Sequence, residues 1–253
     1  MRAVSRLFWL VAPALIASAA VAADFTRNEI QAMLAAAPAG QGVSFAGRSL
    51  AGLDLHDLDL TGADFSGTDL SDADLRGAKL VAAKLVGAKL PRAKLNLAWI
   101  MRADFSHADL SGAVLETLVV SAGLETLPSE AATFVGANLS GARLMARFSL
   151  DDMRGADLSH LQASVDMRNQ SMGLIRTDFS RANLVGGKFE GAALAKANFR
   201  FAKLKNANFT GAILTGADFS GADLTDADLT GANTTGADFT SAVLVGIRGL
   251  SRP

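Results

Sequence analysis

Ala63-Asp64-Phe65-Ser66-Gly67, Ala73-Asp74-Leu75-Arg76-Gly77 and Ala217-Asp218-Phe219-Ser220-Gly221 show the five-residue unit that decides the fold of this chain. A large apolar residue recurs at almost every fifth position from Phe45 to Leu244, usually two residues after an alanine. A helix repeats its apolar residues at i, i+3, i+4 and i+7, and a half-buried strand alternates them. The five-residue period fits neither pattern. It predicts short extended segments joined by tight corners, with the alanine and the large residue pointing inward.

The unit resembles the A(D/N)LXX consensus of the pentapeptide-repeat proteins, and the resemblance covers roughly residues 43–246. It implies an all-β fold, a right-handed quadrilateral β-helix in which four pentapeptides make each coil, with about ten coils. In such a solenoid, neighbouring coils bury each other's apolar residues in stacked columns. The predicted core-forming residues are Phe65, Leu70, Leu75, Leu85, Phe105, Leu110, Leu139, Phe179, Leu184, Phe199, Leu204, Phe209, Phe219 and Leu224.

Two stretches, 121–131 and 145–175, depart from the consensus. The step between central residues shortens to four after Val120 and again after Leu144, and the count treats Ser129 as an inward residue. We therefore expect irregular coils in both stretches. They either bind a partner or are places where sequence drift has accumulated.

Residues 1–23 have the three regions of a secretory signal peptide: Arg2 and Arg6, then a short apolar run, then small residues suited to cleavage. An uncleaved membrane anchor is the alternative, although the run is short and Pro13 interrupts it. The sequence contains no cysteine, so it offers neither a disulfide nor a thiol for lipid attachment. We expect a periplasmic or secreted protein with no stable membrane insertion after cleavage.

Residues 24–42 predict a short helix and a linker. Thr26 and Glu29 match a capping box, and Phe25 and Ile30 occupy the positions of a hydrophobic staple. We expect this helix to cover the open N-terminal edge of the β-helix; a helix that docks a partner is the alternative. At the other end, the tail 247–253 is too short to form such a cap. Some relatives dimerise through this end, so the resemblance suggests a homodimer through the C-terminal coil.

Four lysines should surround one coil, because one lies on each successive pentapeptide. Aspartates lie 20 residues before and after some of them, as Asp64 and Asp104 do around Lys84. This spacing predicts a ladder of opposite charges on stacked coils. A basic belt that binds anionic polymers of the cell envelope is the alternative. The candidate partner-binding residues are Trp99, Lys79, Lys84, Lys89, Lys94, Arg147, Asp152, Arg154 and Arg168.

Catalytic motifs are missing from the sequence. It contains no nucleophile elbow, P-loop or HExxH motif. His56, His107 and His160 are scattered without the spacing of zinc ligands. A flat repetitive wall also lacks the pocket that most catalysis needs. We therefore expect a non-enzymatic protein with no catalytic residues, no cofactor and no metal.

These features favour a rigid scaffold or protein-interaction module in the cell envelope, with an unidentified protein partner. The resemblance implies one alternative, because acidic members of the family mimic duplex DNA and inhibit or protect DNA gyrase. DNA carries one charge per about 1.7 Å, so a rod of roughly 48 Å would need about 28 net negative charges to match it. The formal net charge is only −1. We therefore expect no nucleic-acid partner and favour the scaffold, with a DNA-mimicking inhibitor or protector of gyrase as the alternative.

Overall fold

The computed structural model describes residues 23–38, 40–123, 126–163 and 176–250. The predicted signal peptide, except for Ala23, lies outside the described residues, as does Arg168. The chain is a β-helix solenoid in which most pairing occurs through isolated parallel bridges. In the described part, regular elements are limited to helix α1 (Arg27–Ala36) and the parallel strands β1 (Val114–Glu116) and β2 (Arg143–Met145).

Each five-residue unit is a short extended segment followed by a tight turn. Phe65 N–H donates to the carbonyl of Lys84 on the next coil at 2.7 Å, and Lys84 N–H donates back to Ala63 at 2.9 Å. At the corner, Thr68 N–H donates to Phe65 at 3.0 Å, and Gly67 adopts a φ of 63°. A turn closed by this bond with positive φ at its third residue favours glycine, which explains the frequent glycine of the repeat.

The aspartate or asparagine of each unit has a structural role at the following corner. Asp64 Oδ1 accepts a hydrogen bond of 3.0 Å from Ser66 N–H, and Asp69 accepts one from Ser71 in the same way. Side chains of this length readily satisfy a backbone N–H two residues further on. Hydrogen bonds from Ser66 also hold the pKa of Asp64 below its usual value. The repeat therefore prefers Asp and Asn because they stabilise the turn.

Stacked segments form four walls, numbered here in chain order. Walls 2 and 3 begin at Ser49 and Asp54. The outward residues of wall 1 are Ser44, Asp64, Lys84, Asp104, Thr133, Asp152, Asn183, Lys203, Asp223 and Val243. Those of wall 4 are Asp59, Lys79, Trp99, Val119, Arg147, Asp178, Asn198, Asp218 and Asp238. Within the regular parts, partners on adjacent coils are 20 residues apart.

The core is the inside of this four-sided tube. All fourteen of the predicted core-forming residues are completely buried. Behind the C-terminal half of wall 4, phenylalanine rings stack in one column. Phe199 is central to it, with ring centroids 5.2 Å from Phe179 and 4.8 Å from Phe219. Such contacts add to the burial of apolar surface and give that wall a rigid backing.

Two insertions interrupt the regular spacing. Asp104 pairs with Thr133, 29 residues later, so the first insertion adds nine residues to a coil. The next coil has one residue fewer than 20, since Thr133 pairs with Asp152. Arg147 pairs with Asp178, 31 residues later, so the second insertion adds eleven. The inward assignment of Ser129 is wrong: it lies exposed in a turn, because the first insertion leaves the tube. The ladder also continues through Gln162, so part of 145–175 is regular.

Helix α1 packs against the first coil. Its capping box is present, with Thr26 accepting from Glu29 N–H and the Glu29 side chain accepting from Thr26 N–H. The Phe25 ring meets the Phe45 ring edge-on at 6.0 Å, and Ile30 is fully buried. Arg27 donates to the carbonyl oxygens of Asp54 and His56 at 2.8 and 2.9 Å.

Candidate interaction surface on wall 4

The ladder of wall 4 is open at one point. Trp99 pairs with Val119, and Arg147 pairs with Asp178, but among the described residues Val119 and Arg147 do not pair. The first insertion leaves the tube directly after Val120, at the corner between walls 4 and 1, and the following coil has one residue fewer between Arg143 on wall 3 and Arg147 on wall 4. Both changes separate the two segments. A cleft of about 520 Å³ opens between them, lined by Thr117, Leu118, Val119, Met145, Ala146 and Arg147.

Both insertions attach at the edges of this same wall. The first leaves at the corner between walls 4 and 1, and the second follows Ala163 on wall 3 and ends before Thr177 on wall 4. The described chain next to each insertion therefore lies at an edge of wall 4. Loops that depart from a repeating scaffold are common sites of binding.

A second depression, called here the wall 4 groove, continues the cleft towards the C-terminus. It has a volume of about 600 Å³ and shares Arg147 and Asp178 with the cleft. Its other principal lining residues are Ser149, Arg181, Asn198, Arg200 and Phe201. Arg176 adjoins the groove from the cleft. This stretch of wall 4 is therefore rich in arginine.

The carboxylates near the groove are largely occupied by other groups. Asp178 Oδ1 accepts hydrogen bonds of 2.9 Å from Ser180 N–H and from Asn198. Arg200 reaches Asp218 only at 3.9 Å, and its guanidinium lies 5.8 Å from the centre of the Phe201 ring. In the described residues no carboxylate lies within 4.0 Å of the guanidinium of Arg176 or Arg181. Arg181 in the groove and Arg176 beside it thus present positive charge that no ion pair of the described residues neutralises.

Large apolar side chains are exposed on or beside the same wall. Trp99 is 38 % exposed and Phe201 is 54 % exposed. Leu97, at the neighbouring corner, and Leu127, in the first insertion, are also exposed. Partly exposed aromatic residues next to arginine are typical of the residues that dominate the energy of protein interfaces.

Asp151 is a buried carboxylic acid that contacts the end of the first insertion from the next coil. It occupies the inward position that alanine holds in most units. Its Oδ1 accepts a hydrogen bond of 2.9 Å from Ala132 N–H, and Oδ2 has no partner among the described residues. In a regular unit that N–H would donate to a carbonyl three residues earlier, as Ala137 donates to Phe134. Burial raises the pKa of Asp151 to about 8.

The four predicted lysines lie on four different walls, so they form no common patch. Lys79 is on wall 4, below Trp99, and makes an ion pair of 3.4 Å with Asp59. Within the described residues no carboxylate lies within 4.0 Å of Lys84, Lys89 or Lys94. Asp64 stacks beneath Lys84 on the adjacent coil, as predicted. The predicted ladder of close ion pairs is nevertheless wrong for Lys84, Lys89 and Lys94. The aspartate oxygens bond the corner N–H groups instead.

The remaining predicted residues divide between two walls. Arg147 lies in the wall 4 groove, on the same wall as Lys79 and Trp99. Asp152 is on wall 1, where it pairs with Arg154 at 2.7 Å. The sequence analysis did not identify Arg181, Arg200, Phe201 or Leu127. Assigning each unit to a wall places the first three on or beside wall 4, because the two insertions together are as long as one coil.

The histidines have structural surroundings. His56 contacts the carboxylate of Asp54. A Cβ atom placed on Gly136 would lie 2.7 Å from His107 Nδ1, so this imidazole packs over a glycine of the next coil. His160 packs over Gly191 in the same way. In the described part of the chain, no group of three or more potential metal ligands comes together.

Helices able to cross a membrane, by length and apolar character, are not found among the described residues.

Comparison with known proteins identifies several similar structures. HetL, a pentapeptide repeat protein involved in heterocyst differentiation regulation from the cyanobacterium Nostoc sp. strain PCC 7120, is 29% identical. The match covers 88% of this chain and 94% of HetL, with a TM-score of 0.33. The full-length plasmid-mediated fluoroquinolone resistance protein QnrB1 is 22% identical over 80% of this chain and 91% of its own, with a TM-score of 0.36. TM-scores below 0.5 mean that neither likeness indicates a function.

A third similar structure is a pentapeptide repeat protein from the thylakoid lumen of Arabidopsis thaliana. It is 28% identical over 49% of this chain and 70% of its own, with a TM-score of 0.21. No curated protein sequence matches the chain significantly. The family model described as "Pentapeptide repeats" matches residues 41–77, 78–116, 174–211, 194–231 and 222–246. Together these ranges cover more than half of the sequence. With its four walls, its alanine and leucine core and this match, the chain belongs to the pentapeptide-repeat family.

Proposed function

We propose that this protein is a non-enzymatic, exported protein-interaction module, and that wall 4 is its contact surface. One observation carries the proposal: the open ladder, the edges of both insertions and the exposed aromatic residues Trp99 and Phe201 occur together on or beside this wall. The rigid column of phenylalanines behind it supports the same conclusion. A preorganised surface binds without a large loss of conformational entropy.

We also propose the handedness of the rod, its number of coils and the role of helix α1. The rod is right-handed and has about ten coils, and α1 covers its N-terminal edge. At the other end, the described residues include no such cover, and Val243 and Val245 of the last described coil are exposed. A homodimer through this C-terminal coil follows from the same reasoning. Sedimentation that shows only a monomer at tens of micromolar would contradict the dimer.

A photo-crosslinking experiment tests the choice of wall. The reactive amino acid benzoylphenylalanine replaces Trp99 on wall 4 in one variant and Ile213 on wall 3 in another, since both are exposed apolar residues. We expect one defined adduct in the native host from position 99 and none from position 213. Equal adducts from both positions, or none from either, would contradict a contact surface on wall 4.

Export is proposed from the sequence of residues 1–23. Fractionation of the native host, followed by N-terminal sequencing, tests it. We expect a periplasmic product that begins near Ala23 or Asp24. A cytosolic product that retains Met1 would overturn the assignment, and an assay of gyrase supercoiling would then become the next experiment.

A further inference from the structure

The arginines of the wall 4 groove cover a short section of the wall. They are associated with the rungs from Arg147 to Asn198, which at about 4.8 Å per rung is roughly 10 Å. Towards the C-terminus, the next outward residues of the wall are Asp218 and Asp238. Towards the N-terminus they are Val119 and Trp99. Positive charge is therefore confined between an acidic section and an apolar section.

This confinement limits what the groove can bind. A nucleic-acid strand spaces its charges by about 3.4 Å, so only about three phosphates would fit before the strand met Asp218 and Asp238. A long anionic polysaccharide would meet the same repulsion. A short segment with a few carboxylates avoids it and matches the forked geometry of the arginine side chains.

An apolar contact lies at the edge of the groove. The Phe201 ring is half exposed and packs over Gly221 of the next coil, where an added Cβ atom would lie 2.5 Å from the ring. The Arg200 guanidinium lies beside the same ring. Phe201 is thus held in place by the coil above, and about half of its surface remains exposed for contact with a ligand. An arginine next to a fixed aromatic ring suits a segment that has both acidic and apolar side chains.

We propose that the wall 4 groove binds a short acidic peptide segment of a protein partner. Its carboxylates pair with Arg176, Arg181 and Arg200, and an adjacent apolar side chain packs on Phe201. This inference rests on the proposed function as an interaction module and names the chemistry of the partner. It replaces the lysine belt, whose members are divided among four walls, with arginines at the edges of one wall.

Fluorescence anisotropy tests the proposal on the full mature chain. The probe is a short fluorescein-labelled peptide in which a central Leu-Phe pair is flanked by glutamate and aspartate. The groove variant is Arg181→Asn with Arg200→Gln. Asparagine is chosen at 181 because that residue has a φ of 59°, which asparagine tolerates. The matched control is Arg92→Asn with Arg48→Gln, which removes two charges elsewhere, and Arg92 has the same φ of 59°.

We expect the groove variant to bind the peptide at least about tenfold more weakly than the wild type. The control should change the affinity by less than about twofold. Phe201→Asn should weaken binding of this probe and leave binding of an all-acidic peptide almost unchanged. Thermal unfolding of each variant verifies that it is folded. Wild-type protein that does not bind the probe, or a control that loses as much affinity as the groove variant, would overturn the proposal.

Two other occupants are distinguished in the same series. If labelled oligo(dT) or heparin binds more tightly than the peptide and depends on Arg181 and Arg200, the groove binds an anionic polymer and the proposal is wrong. If sedimentation shows self-association that the groove variant abolishes, a second copy fills the groove and the proposal is again wrong. Crosslinking at position 99 remains an independent readout. An adduct there, with no peptide binding, would retain the interaction module and reject only its acidic ligand.

Discussion

Replacing Asp151 with asparagine should change how the stability of this protein depends on pH. The pKa of Asp151 is raised from 3.8 to about 8 in the folded chain, because the carboxyl group is buried. The folded state therefore holds the proton more tightly than the unfolded state does. The stabilisation from this group is fully present below pH 3.8 and is lost as the pH rises to about 8. Asparagine cannot ionise, so Asp151→Asn removes this dependence.

The magnitude follows from the difference in pKa. Between the two values, each pH unit lowers the free energy of unfolding by about 1.4 kcal/mol, or roughly 3 kcal/mol from pH 5 to pH 7. Asparagine keeps an oxygen that can accept from Ala132 N–H, but its amide replaces Oδ2, which has no partner among the described residues. That buried amide costs about 1–3 kcal/mol at every pH. We therefore expect the variant to gain roughly 3 kcal/mol of stability relative to the wild type between pH 5 and pH 7, and to be the more stable protein at pH 8.

Urea denaturation of both proteins at pH 5, 6, 7 and 8 measures this difference directly, because contributions from all other groups cancel. Asp64→Asn is the matched control. The pKa of Asp64 is lowered, so its stabilisation is lost only as the pH falls below about 4, outside the measured window. The reasoning is refuted if the stabilities of wild type and Asp151→Asn remain parallel across the four pH values.

Three further changes test the fold. Leu85→Ala should lower the free energy of unfolding by about 2–5 kcal/mol in urea denaturation, because Leu85 is fully buried, whereas Val86→Ala at an exposed position should change it by less than about 0.5 kcal/mol. Gly42→Ala should lower the thermal unfolding midpoint, since its Cβ atom would lie 1.8 Å from the Gly62 carbonyl oxygen; Gly123→Ala, with nothing within 4 Å, should not. Thr26→Ala should destabilise α1 by about 1 kcal/mol and accelerate hydrogen exchange of its amides, and unchanged exchange would show that the capping box is dispensable.

The sequence predicts the solenoid because its repeat is a local property. Each Ala-Asp-Leu unit has its own extended segment, its own corner and its own inward residue, so the buried columns follow without knowledge of distant contacts. Phe65 and Leu85 are inward for the same local reason, and their stacking follows from the number of residues per coil. The capping box of Thr26 and Glu29 is equally local. Asp151 could not be interpreted in this way, because the N–H that it serves belongs to Ala132 on another coil.

The candidate surface could not be predicted because a five-residue count cannot distinguish a slip from an insertion. Ten residues are two complete units and leave the phase of the repeat unchanged. An insertion of nine residues therefore shifts the phase in the same way as a deletion of one residue, and an insertion of eleven in the same way as an addition of one. The two insertions together are as long as one coil, so units before and after them are assigned to the correct walls. Between them, every unit is placed two walls away from its true position, and Arg147 is separated from Trp99 and Asp178. Wall 4 becomes recognisable only when backbone pairing shows which units are stacked.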